Sequence, residues 1–568
     1  MTITGPTAMD GHCLLGWPSC APVHQARTFV LFVTAKRTLS FSIGKGAQGR
    51  DLGAHSVSSA QSLGGIGIAE FLGSKNFLII GGTGFLAKIL IEKIMRTNTN
   101  IGKIYVVIKA KDTQAALKRM QNEVVDSELF RCLEEIHGKD YHSFLAKKLV
   151  PVVGDIKEAN LGIAPDLAYR IAEEVDIIVN SAGNTTFEER YDVAMDINTL
   201  GPFRIMSFAQ RFQRLKLFLH VSTAYVNGQR QGVVMEKPFQ LGDTIGKEFG
   251  SSDSSECKLN ALLDIEAEVK LAFATRIGDE DSPSLSQEMK RLGHDRAKLH
   301  GWQDVYVFTK AMGEMVVNCM RGDIPVVTIR PSIIESTLRD PFPGWIQGNR
   351  MLDPVILNYG RGLMTSLFAD PESVIDVIPA DMVVNAMLAA MAKHGQQGQQ
   401  TPGTQRHHIY HLSSSTVNPL SCRDLCEFLF RHFTRSPVMD AAGEPILVQP
   451  MRFCRSMVEY ASRVEAEAND ALLQSAARAG AAFSERRKRD LRAKVVKNIV
   501  HLGKIYEPYG FYGGRFDNRN MEVLLAELSA EEREKFHFDV RSVDWMHYIA
   551  DVHIPGLRKY VGKEKGSM

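Results

Sequence analysis

Lys75-Asn76-Phe77-Leu78-Ile79-Ile80-Gly81-Gly82-Thr83-Gly84-Phe85-Leu86-Ala87 is the stretch that decides the fold. An apolar run, Lys75–Ile80, enters a glycine turn, and Gly84 to Met95 follows with helical spacing, placing Phe85, Ile89, Leu90 and Ile94 on one side. Strand, glycine turn and helix in that order fit both GxGxxA and GxxGxxA. Glycine permits the tight turn and lets a pyrophosphate approach the backbone, while the helix N-terminus offers free N–H groups to the phosphates. Ala87 satisfies a position that needs only a small residue for helix–strand packing. The turn therefore predicts dinucleotide binding by Gly81, Gly82, Thr83, Gly84, Phe85 and Leu86.

Further apolar runs continue the rhythm: Lys103–Ile108, Leu149–Val153, Val175–Val179, Leu215–Val221 and Val326–Ile329. Strands alternating with helices predict an α/β fold, a Rossmann-type doubly wound parallel sheet covered on both faces. Residues 230–300 interrupt the beat with charged, helix-forming sequence and no strong strand. A Gly/Gln/Thr-rich loop, His394–Thr404, closes the section. The expected organisation is a reductase domain over 66–400 with an insertion at 230–300, a connecting segment over 401–459, and a mainly helical C-terminal domain over 460–568. At 568 residues the chain is too long for one ordinary core.

The second strand ends Ile108-Lys109-Ala110-Lys111, with cations where an NAD enzyme usually carries an acid, so Lys109 and Lys111 suit the 2′-phosphate of NADPH. The other reading is a solvated lysine pair. Asp155, after the third strand, is expected to reach the adenine amino group. Asn180 and Ala182, at the end of the fourth, leave room for the cofactor, and Pro331, just after the sixth, is expected to contact it as well.

Tyr306-Val307-Phe308-Thr309-Lys310 places a phenol and an ammonium one turn apart on a helix face. The ammonium is expected to lower the phenol's pKa and to hold the nicotinamide ribose. Ser222 or Thr223, with Thr223 favoured, would position the substrate carbonyl. Asn198 would anchor a water relay to Lys310 or serve as a capping or packing residue. No residue set reads as a metal site. The eight cysteines, at 13, 20, 132, 257, 319, 422, 426 and 454, lack paired spacing and read as single thiols.

The net charge of +2 gives no global case for nucleic-acid binding, and no apolar run reaches the length of a membrane span. Residues 1–65 carry only two acids, Asp10 and Asp51, against five Lys or Arg. That composition reads as a plastid transit peptide, with a disordered tail as the other reading and a cytoplasmic or ER-peripheral location if it is not one. Ser484–Lys504 carries eight Lys or Arg against Glu485 and Asp490, with Leu491, Val495, Ile499 and Leu502 at helical spacing. Such a helix meets a membrane surface, an acidic carrier protein or the phosphates of CoA, or is a solvated charged face.

On these residues the chain resembles the plant alcohol-forming fatty acyl reductases of male-sterility-protein type, within the extended short-chain dehydrogenase/reductase superfamily. The matching stretches are GTGFLAKILIEK from Gly82, NTTFEERYDVAMDINT from Asn184, LFLHVSTAYVNGQRQG from Leu217, GWQDVYVFTKAMGEM from Gly301, IRPSIIEST from Ile329, PFPGWIQGNRM from Pro341 and IYEPYGFYGGRFDN from Ile505. Two positions depart from the family pattern: Ile80 stands where Thr is usual, and Gly183 where Ala is common. The resemblance implies reduction of a long-chain acyl-ACP or acyl-CoA thioester to a primary alcohol through an aldehyde, using two NADPH, for pollen-wall or wax lipid. It implies oxyanion contacts from Thr223 and Tyr306, proton donation by Tyr306, and carrier-protein docking at 484–504. The 82 residues between Thr223 and Tyr306 would help cover the acyl chain or form a surface elaboration. Three other readings stay open: an aldehyde-forming enzyme, another extended short-chain dehydrogenase, and a non-catalytic NADP-binding protein.

Overall fold

Seven parallel strands carry the site. They are β1 (Phe77–Ile80), β2 (Ile104–Ile108), β3 (Leu149–Val153), β4 (Ile177–Asn180), β5 (Leu217–Val221), β6 (Val326–Pro331) and β7 (His407–Leu412). Their order across the sheet is β7-β6-β5-β4-β1-β2-β3, and every pairing is parallel. The order reverses between β1 and β4, and ligands of such sheets bind outside the carboxyl ends of the strands at that switch. The computed structural model describes residues 64–249, 262–275, 282–396, 407–440, 442–478 and 485–562. The transit-peptide reading of residues 1–65 lies almost wholly outside the described residues. Gly64–Met568 forms one compact unit.

β1, β2 and β4 are buried along their whole length, which is why they read as continuous apolar runs. β7 is different. It falls in the segment 401–459 expected to be a connector, yet it supplies the sheet's edge, paired with β6 from His407↔Val326 to Leu412↔Pro331. Its sequence, His-His-Ile-Tyr-His-Leu, hides a buried strand because its histidines are satisfied by side chains of β6. His407 Nε2 meets Thr328 Oγ1 at 2.9 Å, and His411 Nε2 meets Arg330 at 3.3 Å. The interruption at 230–300 likewise holds a short strand, Gly232–Val234, which pairs in parallel with Gly514–Phe516 of the C-terminal segment. Its described helices, Ile265–Ala274 and Pro283–Leu299, are tied together by Glu268, whose carboxylate accepts from Arg296 and from Tyr191 Oη at 2.7 Å.

The helix bearing Tyr306 and Lys310 spans Val305–Met320 and starts where the Asp304 carboxylate accepts from Val307 N at 3.0 Å. Its far half is pinned to the sheet by Glu314, which accepts from Arg330 Nη2 at 2.6 Å, both side chains being essentially inaccessible. Removing either partner would strand a buried charge and cost about 3–5 kcal/mol. The basic stretch is a helix, but it runs without interruption from Glu485 to Gly510, so the cations and the tyrosines of IYEPYG share one element. It lies on the helix Met457–Arg478, with Tyr460 Oη donating to Ile499 O at 3.2 Å.

Cys132, Cys422, Cys426 and Cys454 are free thiols, whereas Cys319 is disulfide-bonded. The single-thiol reading therefore fails at Cys319, because a sequence without paired spacing does not exclude a disulfide.

Candidate active site

Gly81 opens the cofactor turn with φ of 82°, and a Cβ there would stand 2.7 Å from Ala182 N. Gly82 faces β2, where a Cβ would meet Val106 Cγ1 at 2.4 Å. Gly84 N donates to Gly81 O at 2.9 Å, and the helix Phe85–Thr97 then starts with no side chain capping its N–H groups. The turn is therefore a cradle of bare backbone with free donors, the arrangement a pyrophosphate requires. Thr83 is partly exposed, Leu86 is buried, and the Phe85 ring stacks on Trp345 of the PFPGW stretch with centroids 5.4 Å apart. Ile80 is buried in β1, so the departure from Thr replaces a hydroxyl by packing within the sheet.

Lys109 and Asp155, expected to touch opposite parts of the cofactor's adenosine, lie 2.9 Å apart as an ion pair. Lys109 and Lys111 remain largely exposed. A third cation, Arg119, joins them by donating to Lys109 O at 2.7 Å, and nothing in its sequence position marks it. Asn180 is buried and shares a 3.1 Å hydrogen bond with His220 Nδ1, while its Oδ1 accepts from Ala182 N.

Lys310 Nζ donates to Val221 O at 2.7 Å, so the ammonium sits where β5 ends. Burial holds its pKa down at about 8, with the Glu314 carboxylate pulling the other way. Thr223 Oγ1 accepts from Tyr225 N at 3.3 Å and donates to Pro331 O at 3.4 Å, and the hydroxyl lies near the Tyr306 phenol. The Ser222 hydroxyl is buried and has no protein partner. Asn198 binds both backbone groups of one residue, accepting from Asn184 N at 2.9 Å and donating to Asn184 O at 3.0 Å, and also donates to Thr309 Oγ1 at 3.1 Å. A Cβ on Gly183 would lie 3.5 Å from Asn198 Oδ1 and 3.9 Å from Lys310 Nζ, so these three residues adjoin.

The expected lowering of the Tyr306 pKa is not what the structure gives. Burial pushes the phenol well up, the nearby Asp304 carboxylate adds to this, and the bond to Thr223 offsets it only in part. Lys310 spends its short contact on Val221 O instead. A firmly protonated phenol is a proton donor, not a base.

The sequence reading missed the wall facing this phenol. Phe187 packs on Tyr306 with centroids 6.0 Å apart, and Tyr509 stacks on Phe187 at 5.4 Å. Tyr225 meets Tyr509 edge-on at 5.1 Å. Tyr509 and Tyr506 both come from the C-terminal helix, and Tyr506 Oη donates to Met351 O at 2.5 Å. Tyr509 Oη also donates to Asp304 Oδ2 at 2.6 Å. Burial raises the Asp304 pKa to about 6, against the lowering effect of Tyr509 and the backbone N–H groups it caps. The one early signal was Asp304 itself, an N-cap residue directly before an apolar helix.

Along the helix Glu485–Gly510, an open groove is lined by Glu465, Arg489, Arg492, Lys497, His501 and Lys504. His501 pairs with Glu188 at 3.0 Å, the neighbour of Phe187, so the basic groove adjoins the aromatic wall. No described helix is long and apolar enough to cross a membrane.

A Rossmann-type sheet with a glycine cradle at its switch point and a Tyr/Lys pair beside a strand-end hydroxyl defines a nicotinamide-dependent oxidoreductase of the extended short-chain class. The nucleotide-binding model of the male sterility proteins matches residues 79–387, and a second male sterility protein model matches 480–564. "Fatty acyl-CoA reductase 2, chloroplastic" of Arabidopsis thaliana is 50% identical over 88% of this chain and 80% of its own length. The "Alcohol-forming fatty acyl-CoA reductase" of Simmondsia chinensis is 37% identical over 87% of this chain and 98% of its own. Among solved structures, the terminal R domain of the myxalamid PKS-NRPS pathway shares the fold at a TM-score of 0.52 and 16% identity, covering 86% of this chain and 91% of that one. This chain belongs to the male sterility protein family of plant fatty acyl-CoA reductases.

Proposed function

We propose that the protein reduces a long-chain fatty acyl thioester to a primary alcohol with NADPH, through an aldehyde held at the Tyr306–Thr223 pair. The nearness of those two hydroxyls at the end of β5 carries the reading, because a carbonyl oxygen placed between them would meet two O–H groups able to turn toward it. When bound, the reduced nicotinamide supplies hydride. Tyr306 and Thr223 hold the oxygen of the thioester and stabilise the charge that builds on it, and collapse of the hemithioacetal expels the thiol. In the second round Tyr306 gives its proton to the alkoxide. Lys310 orients the nicotinamide ribose and returns a proton toward Tyr306, with Asn198 fixing the adjoining backbone. Ser222, buried without a protein partner, is a further donor into the same space.

Lys109, Lys111 and Arg119 favour the 2′-phosphate of NADPH over the bare ribose of NADH. The aromatic wall of Phe187, Tyr506 and Tyr509 suits the first carbons of an acyl chain. The basic groove that adjoins it suits the phosphate-bearing arm of an acyl carrier protein or CoA, and the chloroplastic name of one relative favours the carrier protein and a plastid setting. The test is to incubate the full chain with NADPH and palmitoyl carrier protein or palmitoyl-CoA and identify the product by gas chromatography. Hexadecanol is expected. Accumulated hexadecanal would limit the reaction to one hydride, and no NADPH-dependent product from either substrate would refute the proposal.

A further inference from the structure

Glu335, Asp353 and His553 come together with their ligand atoms all within 4.8 Å of one another, and all three are buried. Nothing in their sequence spacing links them. His553 Nε2 stands 3.3 Å from Asp353 Oδ1 and 3.7 Å from Glu335 Oε2. Among the described residues, neither Lys nor Arg pairs with either carboxylate. Both His553 Nε2 and Asp353 Oδ1 are buried with no hydrogen-bond partner, and they face each other.

The spacing discriminates between two ways of satisfying these atoms. A charge-assisted N–H···O bond closes to about 2.7–2.9 Å, shorter than either distance here. Ligands of a tetrahedral zinc ion with bonds of about 2.0–2.1 Å stand about 3.3–3.4 Å apart. The remaining atoms are hydrogen-bonded, as the outer atoms of metal ligands are. His553 Nδ1 meets Ser336 Oγ at 3.1 Å, Asp353 Oδ2 accepts from Arg350 N at 2.9 Å, and Glu335 Oε1 accepts from Leu352 N at 3.3 Å. Each ligand is thus held by its other atom, leaving one lone pair free to point inward. Two carboxyl groups and an imidazole are the oxygen and nitrogen donors that a divalent cation takes.

We propose that Glu335, Asp353 and His553 bind a divalent transition-metal ion as a structural clip, with zinc favoured by the 3.3 Å separation of His553 and Asp353. Glu335 ends the short strand Ile333–Glu335, and Asp353 begins the helix Asp353–Gly360. Between them runs the PFPGWIQGNRM loop, so the ion would staple both ends of the loop, and His553 would fix it to the C-terminal segment. Clips that close a loop limit the freedom of everything it carries. This loop carries Trp345, stacked on Phe85 of the cofactor turn, and the Met351 carbonyl that accepts from Tyr506. The inference is independent of the substrate reading above.

The test uses the full chain, purified without a metal-binding tag. Elemental mass spectrometry is expected to find about one equivalent of zinc, falling about tenfold or more in Asp353→Asn and His553→Gln. If the variants do not fold, the parent chain carries the test. After chelator stripping, added Zn²⁺ should raise its melting temperature by several degrees and slow hydrogen exchange across residues 336–352. Added Co²⁺ should give a visible band of tetrahedral intensity. Two results would overturn the proposal: zinc below roughly a tenth of an equivalent with no melting shift on adding it, or metal content unchanged in both folded variants.

Discussion

Tyr509 donates its hydroxyl across 2.6 Å to the Asp304 carboxylate, joining residues 205 positions apart. Asp304 caps the helix that presents Tyr306 and Lys310, so a tyrosine of the C-terminal helix sets the entry of the catalytic helix. The C-terminal segment thereby packs against the candidate active site. Tyr509→Phe leaves a buried carboxylate short of one donor, at a cost of about 1–3 kcal/mol. It should lower kcat while NADPH affinity in a fluorescence titration stays the same. An unchanged kcat would show that the contact is dispensable.

Asp304 also makes a pH prediction with a definite sign. Its folded-state pKa is raised from 3.8 to about 6 by burial. A raised carboxyl contributes stability that is fully present below the unfolded value, near 4, and is lost as pH rises through the folded value, near 6. The shift corresponds to roughly 3 kcal/mol. Asp304→Asn keeps a capping side chain but removes the titration. In urea unfolding, the variant should therefore gain on the parent by roughly 3 kcal/mol between about pH 4 and pH 7. A difference that does not change with pH contradicts the assignment.

Tyr306→Phe removes the proposed proton donor and keeps the ring packed on Phe187. Turnover should fall by about 10²–10⁴ with NADPH binding retained. Lys310, held down at about 8, loses its charge as pH rises above that value. If the ammonium is needed, kcat/KM should fall over the same range. Lys310→Arg keeps a cation at all accessible pH and should move that limb upward in whatever activity remains. A limb that stays at the same pH in the arginine variant would assign it to another group.

Cofactor choice can be separated from catalysis. Lys109→Ala with Lys111→Ala removes two charge-assisted contacts to a 2′-phosphate, each about 1.5–3 kcal/mol. KM for NADPH should rise by about 10²–10⁴-fold while KM for NADH stays nearly constant. Equal effects on both cofactors would mean that the lysines are a solvated pair, as their exposure also permits.

The glycines test how far local sequence carries. Gly81→Ala would drive a Cβ to 2.7 Å from Ala182 N at positive φ, and should abolish cofactor binding. Gly183→Ala would meet nothing closer than 3.5 Å and should leave activity intact, with a stability gain of about 0.4–1 kcal/mol. The turn, the apolar strands and the Tyr/Lys pair were legible because each is fixed by spacing within one element. β7 was not, since its histidines bond Thr328 and Arg330, 79 and 81 positions away. The aromatic wall was hidden for the same reason: Tyr506 and Tyr509 lie in a recognised stretch, but only the tertiary fold brings them to Phe187. The direction of the Tyr306 shift also depends on Asp304 and on burial, neither of which follows from a four-residue spacing.

The basic helix gives the last prediction. Arg492 already pairs with Glu465 across the groove at 3.5 Å, so reversing it would also disturb the helix pair. Arg489, Lys494, Lys497 and Lys504 are exposed, and their replacement by Glu changes the field with less effect on packing. Exposed pairs are worth about 0.2–1 kcal/mol each, so four reversals should raise KM about 10-fold or more with kcat unchanged. The effect should shrink as salt is added, because surface charges are screened over about 10 Å at 0.1 M. A rise confined to acyl carrier protein would identify the helix as a docking surface for that protein's acidic face. A rise for palmitoyl-CoA as well would place the phosphates of the pantetheine arm in the groove beside His501. Unchanged kinetics with both substrates would leave the helix as a solvated face, and the arm would have to reach Tyr306 by another side of the aromatic wall.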